Sequence, residues 1–483
     1  MKNLSVLDEL RNAAASLAEN AAGLFAPTLR LGVTGLSRAG KTVFITALVH
    51  NLLAAAPLPL FEPARAGRIR RCWLEPQPEP HLPRFAYEDH LAALTAGEER
   101  RWPQSTTRLS RLRLVIEFEP SGWLAGLTHG GRLALDIVDY PGEWLLDLPL
   151  LDMDWAEWAA TRIALAEMEG RRPLAGKWLA AIHEVDPAAP WDEERAIRIV
   201  RLYRDYLEAC RQDAGHFSAL QPGRFLMPGD LEGSPMLTFC PLPPPEGGGE
   251  KAPRDSFWRE MQRRYAAYVA HVARPFFLDH FARIDRQIVL VDALSALNGG
   301  PAALNDLRDA LQAVLACFRT GQSGLFARRA DRILFAATRA DLIHHEHHEA
   351  LRRILALLVE QAATTAEYRG ATIRTEVMAA IRATREGRAT IGGRELPVII
   401  GTPEAGEEID GQAFDGRTEA AIFPGELPED PRRLLSGDWQ GELRFVRFRP
   451  PDVRPPLPLE PAPPFPHIRL DAALQFLIGD ALS

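Results

Sequence analysis

The sequence lacks the features of several protein classes. Its 483 residues include four cysteines without C-x-x-C spacing, so neither a zinc knuckle nor a redox pair is indicated and a reducing compartment fits best. No stretch reaches the roughly 20 apolar residues of a membrane-spanning helix, and the first residues do not follow the basic-then-apolar order of a signal peptide. The net charge of −8 argues against coating nucleic acid or anionic lipid. We therefore expect a cytoplasmic protein with no transmembrane segment and no direct nucleic-acid contact; peripheral membrane association through a partner stays open.

The order of the apolar patterns predicts an α/β fold. Strand-like runs occupy 286–294, 332–341, 373–381 and 396–403, and helix-like runs at 300–318 and 344–363 separate the first three. Alternation of this kind favours a mostly parallel sheet with helices on both faces. Two earlier alternating runs, "RLSRLRLVIEFEP" and "RLALDIVDY", are expected to pair as a hairpin, whereas 57–104 reads as irregular around one helix.

The length favours two or three domains, or one domain with large insertions. Between the strand-rich parts lies a block of long helix-like runs, which we interpret as an inserted domain. The proline-rich "PPLPLEPAPPFP" near the end is more typical of a stiff connector than of an SH3 ligand. The predicted organisation is an N-terminal helix with the first part of the α/β domain (1–144), a helical insertion (145–285), the second part of the α/β domain (286–403), and a C-terminal extension packed on the core (404–483).

The stretch "GLSRAGKT" matches the phosphate-binding pattern G-x-x-x-x-G-K-[ST] in full and lies between a strand-like and a helix-like run. Its glycines let backbone N–H groups turn towards phosphate oxygens, and the following helix directs its N-terminal donors at them. Lys41 is expected to bind the β- and γ-phosphates and Thr42 to coordinate Mg²⁺. The predicted phosphate contacts are Gly35, Ser37, Arg38, Ala39, Gly40, Lys41, Thr42 and Val43.

Two further segments carry candidate Mg²⁺ and γ-phosphate ligands. Asp139 and Gly142 form D-x-x-G at the end of a strand, where the aspartate reaches Mg²⁺ through water and the glycine N–H meets the γ-phosphate; a β-turn is the alternative. In "RRWPQSTT", Thr106 is the candidate that closes on Mg²⁺, with Ser105 and Trp102 lining the nucleotide. Two solvated loop threonines are the alternative there.

A third segment, Thr338-Arg339-Ala340-Asp341, follows an apolar strand and resembles the N/T-K-x-D element of Ras-like GTPases, with arginine in place of lysine. In that element the aspartate accepts hydrogen bonds from guanine N1–H and the exocyclic amine, which adenine cannot offer. Arg339 can lie along the base. After the next strand, Ala380 and Ile381 are placed where a backbone N–H would meet guanine O6.

Candidates for hydrolysis are Lys41, Arg38, Thr106 and Glu143. Glu143 directly follows Gly142 and can position a water, but a structural salt bridge is an equally good interpretation. Arg38 can place a cation near the β,γ-bridge, with a solvated charge as the alternative. The run "HHEHHE" from His344 to Glu349 lacks the H-E-x-x-H order, so a polar helix start is favoured over a metal site.

These motifs together resemble the YcjX-like family of bacterial P-loop proteins. The resemblance rests on "GLSRAGKTVFIT", "RRWPQST", "DYPGEWLLDLPLL", "VDALSALNGGP", "FAATRADLIHHEHH", "AAIRATREG" and "HIRLDAALQFLIGDAL". It implies a P-loop NTPase fold, namely a Ras-like G-domain with a helical insertion, and GTP or GDP with Mg²⁺ as ligands. It further implies slow GTP hydrolysis, a nucleotide-dependent switch with a link to stress responses, and an unknown protein effector or regulator. An ATPase or kinase-like enzyme and a non-catalytic nucleotide-gated scaffold remain as alternatives.

Overall fold

The computed structural model describes residues 27–35, 39–104, 108–121, 131–212, 217–317, 330–368, 370–436, 439, 441, 443–457 and 462–483. The chain divides into two compact units. We call them the sheet unit, with described residues in 27–140, 284–301 and 330–483, and the helical unit, with described residues in 141–283 and 302–317.

The described residues form twelve strands and fourteen α-helices. Strands β1 to β12 are Thr28–Gly35, Ile69–Glu75, Ser110–Phe118, Gly131–Asp139, Arg286–Val291, Arg332–Ala337, Thr372–Val377, Arg385–Ile391, Arg394–Gly401, Glu408–Ile409, Gln412–Ala413 and Ala420–Ile422. Helices α1 to α14 are Lys41–Leu53, Glu62–Arg65, Tyr87–Leu94, Trp155–Ala166, Arg172–His183, Glu193–Gln212, Gly223–Leu226, Phe257–Tyr268, Arg274–Asp279, Ala293–Asn298, Gly300–Cys317, His348–Tyr368, Arg432–Ser436 and Leu470–Ile478.

A seven-stranded sheet organises the sheet unit, in the order β2-β3-β4-β1-β5-β6-β7. Strand β3 runs opposite to the other six strands of this sheet, and the pairs β4·β1, β1·β5, β5·β6 and β6·β7 are parallel. Strand β5 is buried at every position, as expected for a parallel strand covered on both faces. The predicted mostly parallel α/β fold is confirmed, and so is the hairpin of the two alternating runs.

The apolar core of the sheet unit joins distant parts of the chain. On β1, Leu29, Leu31 and Val33 face a cluster that includes α1 and α14, since alternate residues of a strand share one face. The alternate residues of β1 are also buried. The side-chain amide of Gln287 on β5 donates to two groups there, the Gly32 carbonyl at 2.9 Å and the Thr34 hydroxyl at 3.0 Å.

The C-terminal segment completes this core. Leu474, Leu477 and Ile478 of α14 are at most 1% exposed. Phe465 precedes that helix, and its backbone exchanges two hydrogen bonds with the side-chain amide of Asn51 in α1, at 3.1 and 2.8 Å. The chain around 463–482 therefore holds both the helix that follows the glycine loop and the strands beside it.

Aromatic side chains fill the core of the helical unit. Trp158 is fully buried and its ring centroid lies 5.2 Å from that of Tyr265 and 5.6 Å from that of Phe239. The buried ion pair between Arg171 and Asp306 fastens the residues after 302 to the rest of this unit. Apolar packing and buried ion pairs thus hold the unit together, and its described residues form helices and no strand.

Several expectations about the elements were wrong in detail. The region 57–104 was expected to be irregular around a helix, yet it also contains β2, an edge strand with Arg70 and Arg71 exposed. The strand expected at 373–381 ends at Val377, because the chain leaves β6 after Met378 and Ala379 pairs with Ile468 instead. The strand at 396–403 is present as β9, but it belongs to a separate antiparallel sheet, β12-β9-β8. Within the described residues, no helix has the length and apolar character needed to cross a bilayer.

Candidate functional site

The candidate residues of the sheet unit lie at one edge of its sheet. Strands β1, β4, β5, β6 and β7 are parallel, and the register pairs the ends of neighbours, with Val33 opposite Asp139 and Ala337 opposite Val377. After β1 the chain forms strands on one side of it, and later strands lie on the other side. Ligands of open α/β sheets bind beyond the carboxyl ends of the strands at such a reversal.

The glycine loop begins where β1 ends. A Cβ on Gly35 would lie 2.8 Å from the Leu290 carbonyl oxygen and 3.0 Å from the Cβ of Ala39, so only glycine lets the loop leave the strand this close to β5. Gly40 has φ 84°, a left-handed conformation that favours glycine, and α1 begins at the next residue. Both pattern glycines therefore have a geometric reason for their positions.

The first turn of α1 presents the two side chains that the pattern requires. The Lys41 ammonium donates to the Gly35 carbonyl at 3.1 Å, so it lies across the loop rather than pointing into solvent. The Thr42 hydroxyl is buried and lies 3.4 Å from the Gln104 carbonyl oxygen, just before the segment that contains Thr106. The structure thus brings the loop threonine next to the start of the threonine loop.

Two aspartates on β4 have different environments. Asp136 is held by Arg113 through two hydrogen bonds of 2.6 and 2.7 Å, so its carboxylate is committed to that ion pair. Asp139 ends the strand and is 1% exposed. The hydroxyl of Thr42 and the carboxylate of Asp139 carry oxygen atoms of the kind that Mg²⁺ prefers as ligands; Asp139 is the last residue of β4, and Thr42 lies in the first turn of the helix after β1.

Asp341 lies in a turn after β6 and is fixed by the chain after β7. Its Oδ2 accepts from the Ala383 N–H at 2.9 Å, and its backbone carbonyl accepts from the Thr384 hydroxyl at 2.5 Å. Burial raises the pKa of the Asp341 carboxyl, which the Ala383 N–H partly offsets. The hydrogen bond from Ala383 is to Oδ2, and because each carboxylate oxygen accepts more than one hydrogen bond, the group can still accept from a further donor.

Comparison with known proteins agrees with this arrangement. The family model of the YcjX-like family, DUF463, matches residues 29–482. The chain belongs to the YcjX-like family. It is 39% identical over 469 residues to a protein of Escherichia coli (strain K12) named Ras-like GTPase YcjX, with 94% of this chain and 96% of that protein covered. It is 37% identical to a protein of the same name from Shewanella oneidensis, with 94% of each chain covered.

Family membership and the observed sheet together show the fold of a P-loop NTPase. The family resemblance seen in the motifs is confirmed. The glycine loop begins at the end of β1, the D-x-x-G segment at the end of β4, and the T-R-x-D segment directly after β6. The roles of individual residues stay predictions.

The structure adds contacts to Arg339 that sequence reasoning missed. Arg339 has φ 60°, and its guanidinium lies 3.1 Å from Asp292 Oδ2 and 3.3 Å from the Ser295 hydroxyl. Asp292 also caps α10 by accepting from the Ser295 N–H at 3.2 Å. The stretch "VDALSALNGGP" contains both Asp292 and Ser295, but the sequence does not show that they contact Arg339, which lies 47 residues after Asp292.

The loop after β7 makes contacts with Asp341 that the sequence did not predict. Ala383 and Thr384 hold Asp341, and the expected contact of Ala380 or Ile381 with guanine O6 stays a prediction. The neighbouring Ala379 exchanges two backbone hydrogen bonds with Ile468, at 3.0 and 2.9 Å. The C-terminal segment therefore holds this loop by its first residues, and Ala380 and Ile381 lie between the two points of attachment.

Trp102 has a backbone partner in the C-terminal part of the chain. Its indole N–H donates to the Phe448 carbonyl at 2.7 Å, and the Arg100 guanidinium donates to the Pro450 carbonyl at 2.7 Å. These contacts anchor the chain just ahead of the threonine loop. A nucleotide-lining role of Trp102 would use the face of its ring, since the N–H is engaged.

Gly142 and Glu143 belong to the helical unit and begin the 3₁₀ turn Gly142–Leu151. Glu143 is 6% exposed, and its Oε1 lies 3.5 Å from the Arg211 guanidinium. This contact is the salt bridge that the sequence left as an alternative to water positioning. Ser37, Arg38, Ser105, Thr106 and the predicted N-terminal helix lie outside the described residues.

Proposed function

We propose that the chain binds GTP and GDP with Mg²⁺ and hydrolyses GTP slowly. The observation that carries the proposal is Asp341: a buried carboxyl, fixed through one oxygen by the Ala383 N–H, in the turn after a strand of the same parallel set that supports the glycine loop. A carboxylate so placed discriminates for a base edge with two adjacent donors, as guanine has. The relatives named Ras-like GTPase support the same conclusion.

Phosphate binding falls to the glycine loop and the start of α1. The Lys41 ammonium donates to the Gly35 carbonyl at 3.1 Å. A phosphate bound in the loop would replace that carbonyl as the acceptor and form a stronger, charge-assisted hydrogen bond. Thr42, Asp139 and Thr106 are the proposed Mg²⁺ ligands, directly or through water. Bound Mg²⁺ would neutralise phosphate charge, while the backbone N–H groups of 39–43 orient the phosphates.

For hydrolysis we propose Arg38, Lys41 and Thr106 as contributors, and we propose that Glu143 positions the attacking water. Glu143 is already close to Arg211, so that carboxylate would have to leave an ion pair to orient a water. Arg38 supplies a cation within the glycine loop, where negative charge develops on the β,γ-bridge.

We also propose a switch role, which the path of the chain supports. D-x-x-G ends one unit and begins the other, with Asp139 in the sheet unit and Gly142 in the helical unit. We propose that contact of Gly142 with the γ-phosphate changes the helical unit and that this change reaches a protein effector, in the cytoplasm and in a stress-related process.

Calorimetric titration of the full chain with GTP, GDP and ATP in the presence of Mg²⁺ tests the proposal, followed by single-turnover hydrolysis. We expect guanine nucleotides to bind at least about 100-fold more tightly than ATP, as two charge-assisted hydrogen bonds imply. Equal affinity for ATP would favour the ATPase or kinase alternative. Tight GTP binding with no hydrolysis, even with added cell extract, would favour a nucleotide-gated scaffold.

A further inference from the structure

A cluster of histidine and glutamate side chains lies apart from the proposed phosphate site. His344, His345 and Glu346 each offer one ligand atom, and these three atoms lie within 4.8 Å of one another. Glu386, at the start of β8, approaches the same histidines: its Oε2 is 2.6 Å from His345 Nδ1 and 3.9 Å from His344 Nε2. Two imidazoles and two carboxylates therefore converge from two segments of the sheet unit.

This convergence does not come from helical spacing. A helix through the whole run would place His344 and His348, four residues apart, on one face, but α12 begins only at His348. His348 turns inward, where its Nε2 lies 3.0 Å from the Ala340 carbonyl. His344 precedes the 3₁₀ turn His345–His347, which directs its ring towards Glu386 instead.

The separations suit a tetrahedral ion. Zn²⁺ bonds to nitrogen and oxygen are about 2.0–2.2 Å long, so ligand atoms around it are roughly 3.4 Å apart. His344 Nε2 to Glu386 Oε2 is 3.9 Å, close to this value, whereas Glu346 Oε2 lies 3.7 Å from the other ring nitrogen, His344 Nδ1, and so stands outside the set of ligands that share His344 Nε2. Only the contact between His345 Nδ1 and Glu386, a hydrogen bond of 2.6 Å, would have to widen by under 1 Å.

Two arginines orient the carboxylates. Arg388 lies 2.9 Å from Glu346 Oε1, and Arg382 lies 4.0 Å from Glu386 Oε1. In each glutamate the other oxygen, Oε2, is the one that faces a histidine. Such outer partners fix the ligands of metal sites. The two guanidinium charges offset the two carboxylates, so affinity would depend on imidazole nitrogen, which favours zinc-like ions over Mg²⁺ and Ca²⁺.

We propose that His344, His345 and Glu386, with Glu346 beside them, form a binding site for Zn²⁺ or a similar transition-metal ion. An ion there joins the segment that follows Asp341 to the segment that follows Thr384, the two segments already joined by the Asp341 contacts. We assign the ion a structural role, because it would link two segments of the chain. The site does not depend on nucleotide binding.

The test is Zn²⁺ titration of the full, chelator-treated chain, followed by calorimetry and by a chromophoric zinc indicator. We expect one equivalent per chain, and a loss of affinity of at least about 10-fold in each of His345→Ala and Glu386→Gln. His345 is 63% exposed and Glu386 23% exposed as side chains, so these variants are expected to fold. His347→Gln, from the same run of residues, is the matched control and should bind as the parent does.

Cobalt provides a second readout of the parent chain. A four-coordinate nitrogen and oxygen site gives Co²⁺ a visible absorption that Zn²⁺ abolishes by displacement. Absence of stoichiometric Zn²⁺ binding overturns the proposal, and so does a loss in His347→Gln equal to that in His345→Ala. Retention of full affinity in both ligand variants would place any bound zinc elsewhere.

Discussion

Replacing Asp341 with asparagine changes the charge and donor pattern of the group that we propose reads the base, while its shape stays nearly the same. The Ala383 N–H points at one carboxylate oxygen from 2.9 Å. In the variant that position must keep the amide oxygen, because an NH₂ group there would face another donor. The amide NH₂ therefore takes the position that faces the base.

Guanine presents N1–H and an exocyclic NH₂ at this edge, so the variant opposes donors with a donor. The loss is two charge-assisted hydrogen bonds of about 1.5–3 kcal/mol each, or roughly 3–6 kcal/mol. Since about 1.4 kcal/mol corresponds to a factor of ten, GDP affinity should fall about 100- to 10,000-fold. Xanthine carries a carbonyl in place of the amine and regains an acceptor, so XDP should bind the variant more tightly than GDP does.

Calorimetry with GDP, XDP and ADP measures the three affinities, with exposed Asp452→Asn as the charge-matched control. Burial raises the pKa of Asp341, so removing its charge offsets part of the lost hydrogen bonding, and the free energy of unfolding should change by no more than about 1 kcal/mol. The reasoning fails if a folded variant loses less than about threefold in GDP affinity. It also fails if GDP and XDP weaken to the same extent.

Three further changes test other parts of the molecule. Arg38→Ala should slow single-turnover GTP hydrolysis by about 10-fold or more with a smaller effect on GDP affinity; equal effects would remove its catalytic role. Asn51→Ala leaves the Phe465 N–H and C=O without their amide partner, so urea denaturation should show a loss of roughly 2–5 kcal/mol, and a loss below 1 kcal/mol would contradict this anchoring. Burial raises the pKa of Asp147 to about 6, against an ordinary 3.8. The folded state thus holds a proton that the unfolded state releases between pH 4 and 6, and this contribution to stability falls by about 3 kcal/mol as pH rises through that range. Asp147→Asn should lack this fall, and parallel stability curves for parent and variant would refute it.

The sequence predicted those parts of the fold that local pattern determines. Strand β1, the loop glycines and α1 follow each other directly, and a full phosphate-binding pattern between a strand and a helix leaves few other structures. Strand β2 escaped prediction because Arg70 and Arg71 interrupt its apolar pattern, as charges can on an edge strand. Strand β9 was found, but its sheet was not, because β8, joined to it through Gly392 and Gly393, was missed as a strand and pairing with β12 depends on residues about 20 positions away.

At the candidate site the sequence could name side-chain chemistry but not distant partners. It identified Asp341, whereas the hydrogen bond from Ala383 spans 42 residues. The "HHEHHE" run shows this most clearly. Within the run, the spacing argued for a polar helix start, and the fourth group of the cluster, Glu386, approaches from a strand that no local pattern connects with it.

The buried position of α14 has a consequence for how the protein is made. Leu31 and Val33 of β1 emerge early from the ribosome, but the cluster that covers them includes Leu477 and Leu482. At about 5–20 residues per second, roughly 20–90 s separate the synthesis of β1 from that of its last packing partners. During this interval the apolar face of the nascent sheet stays uncovered by its C-terminal helix, so a chain stalled before residue 470 presents a surface for chaperones and proteases.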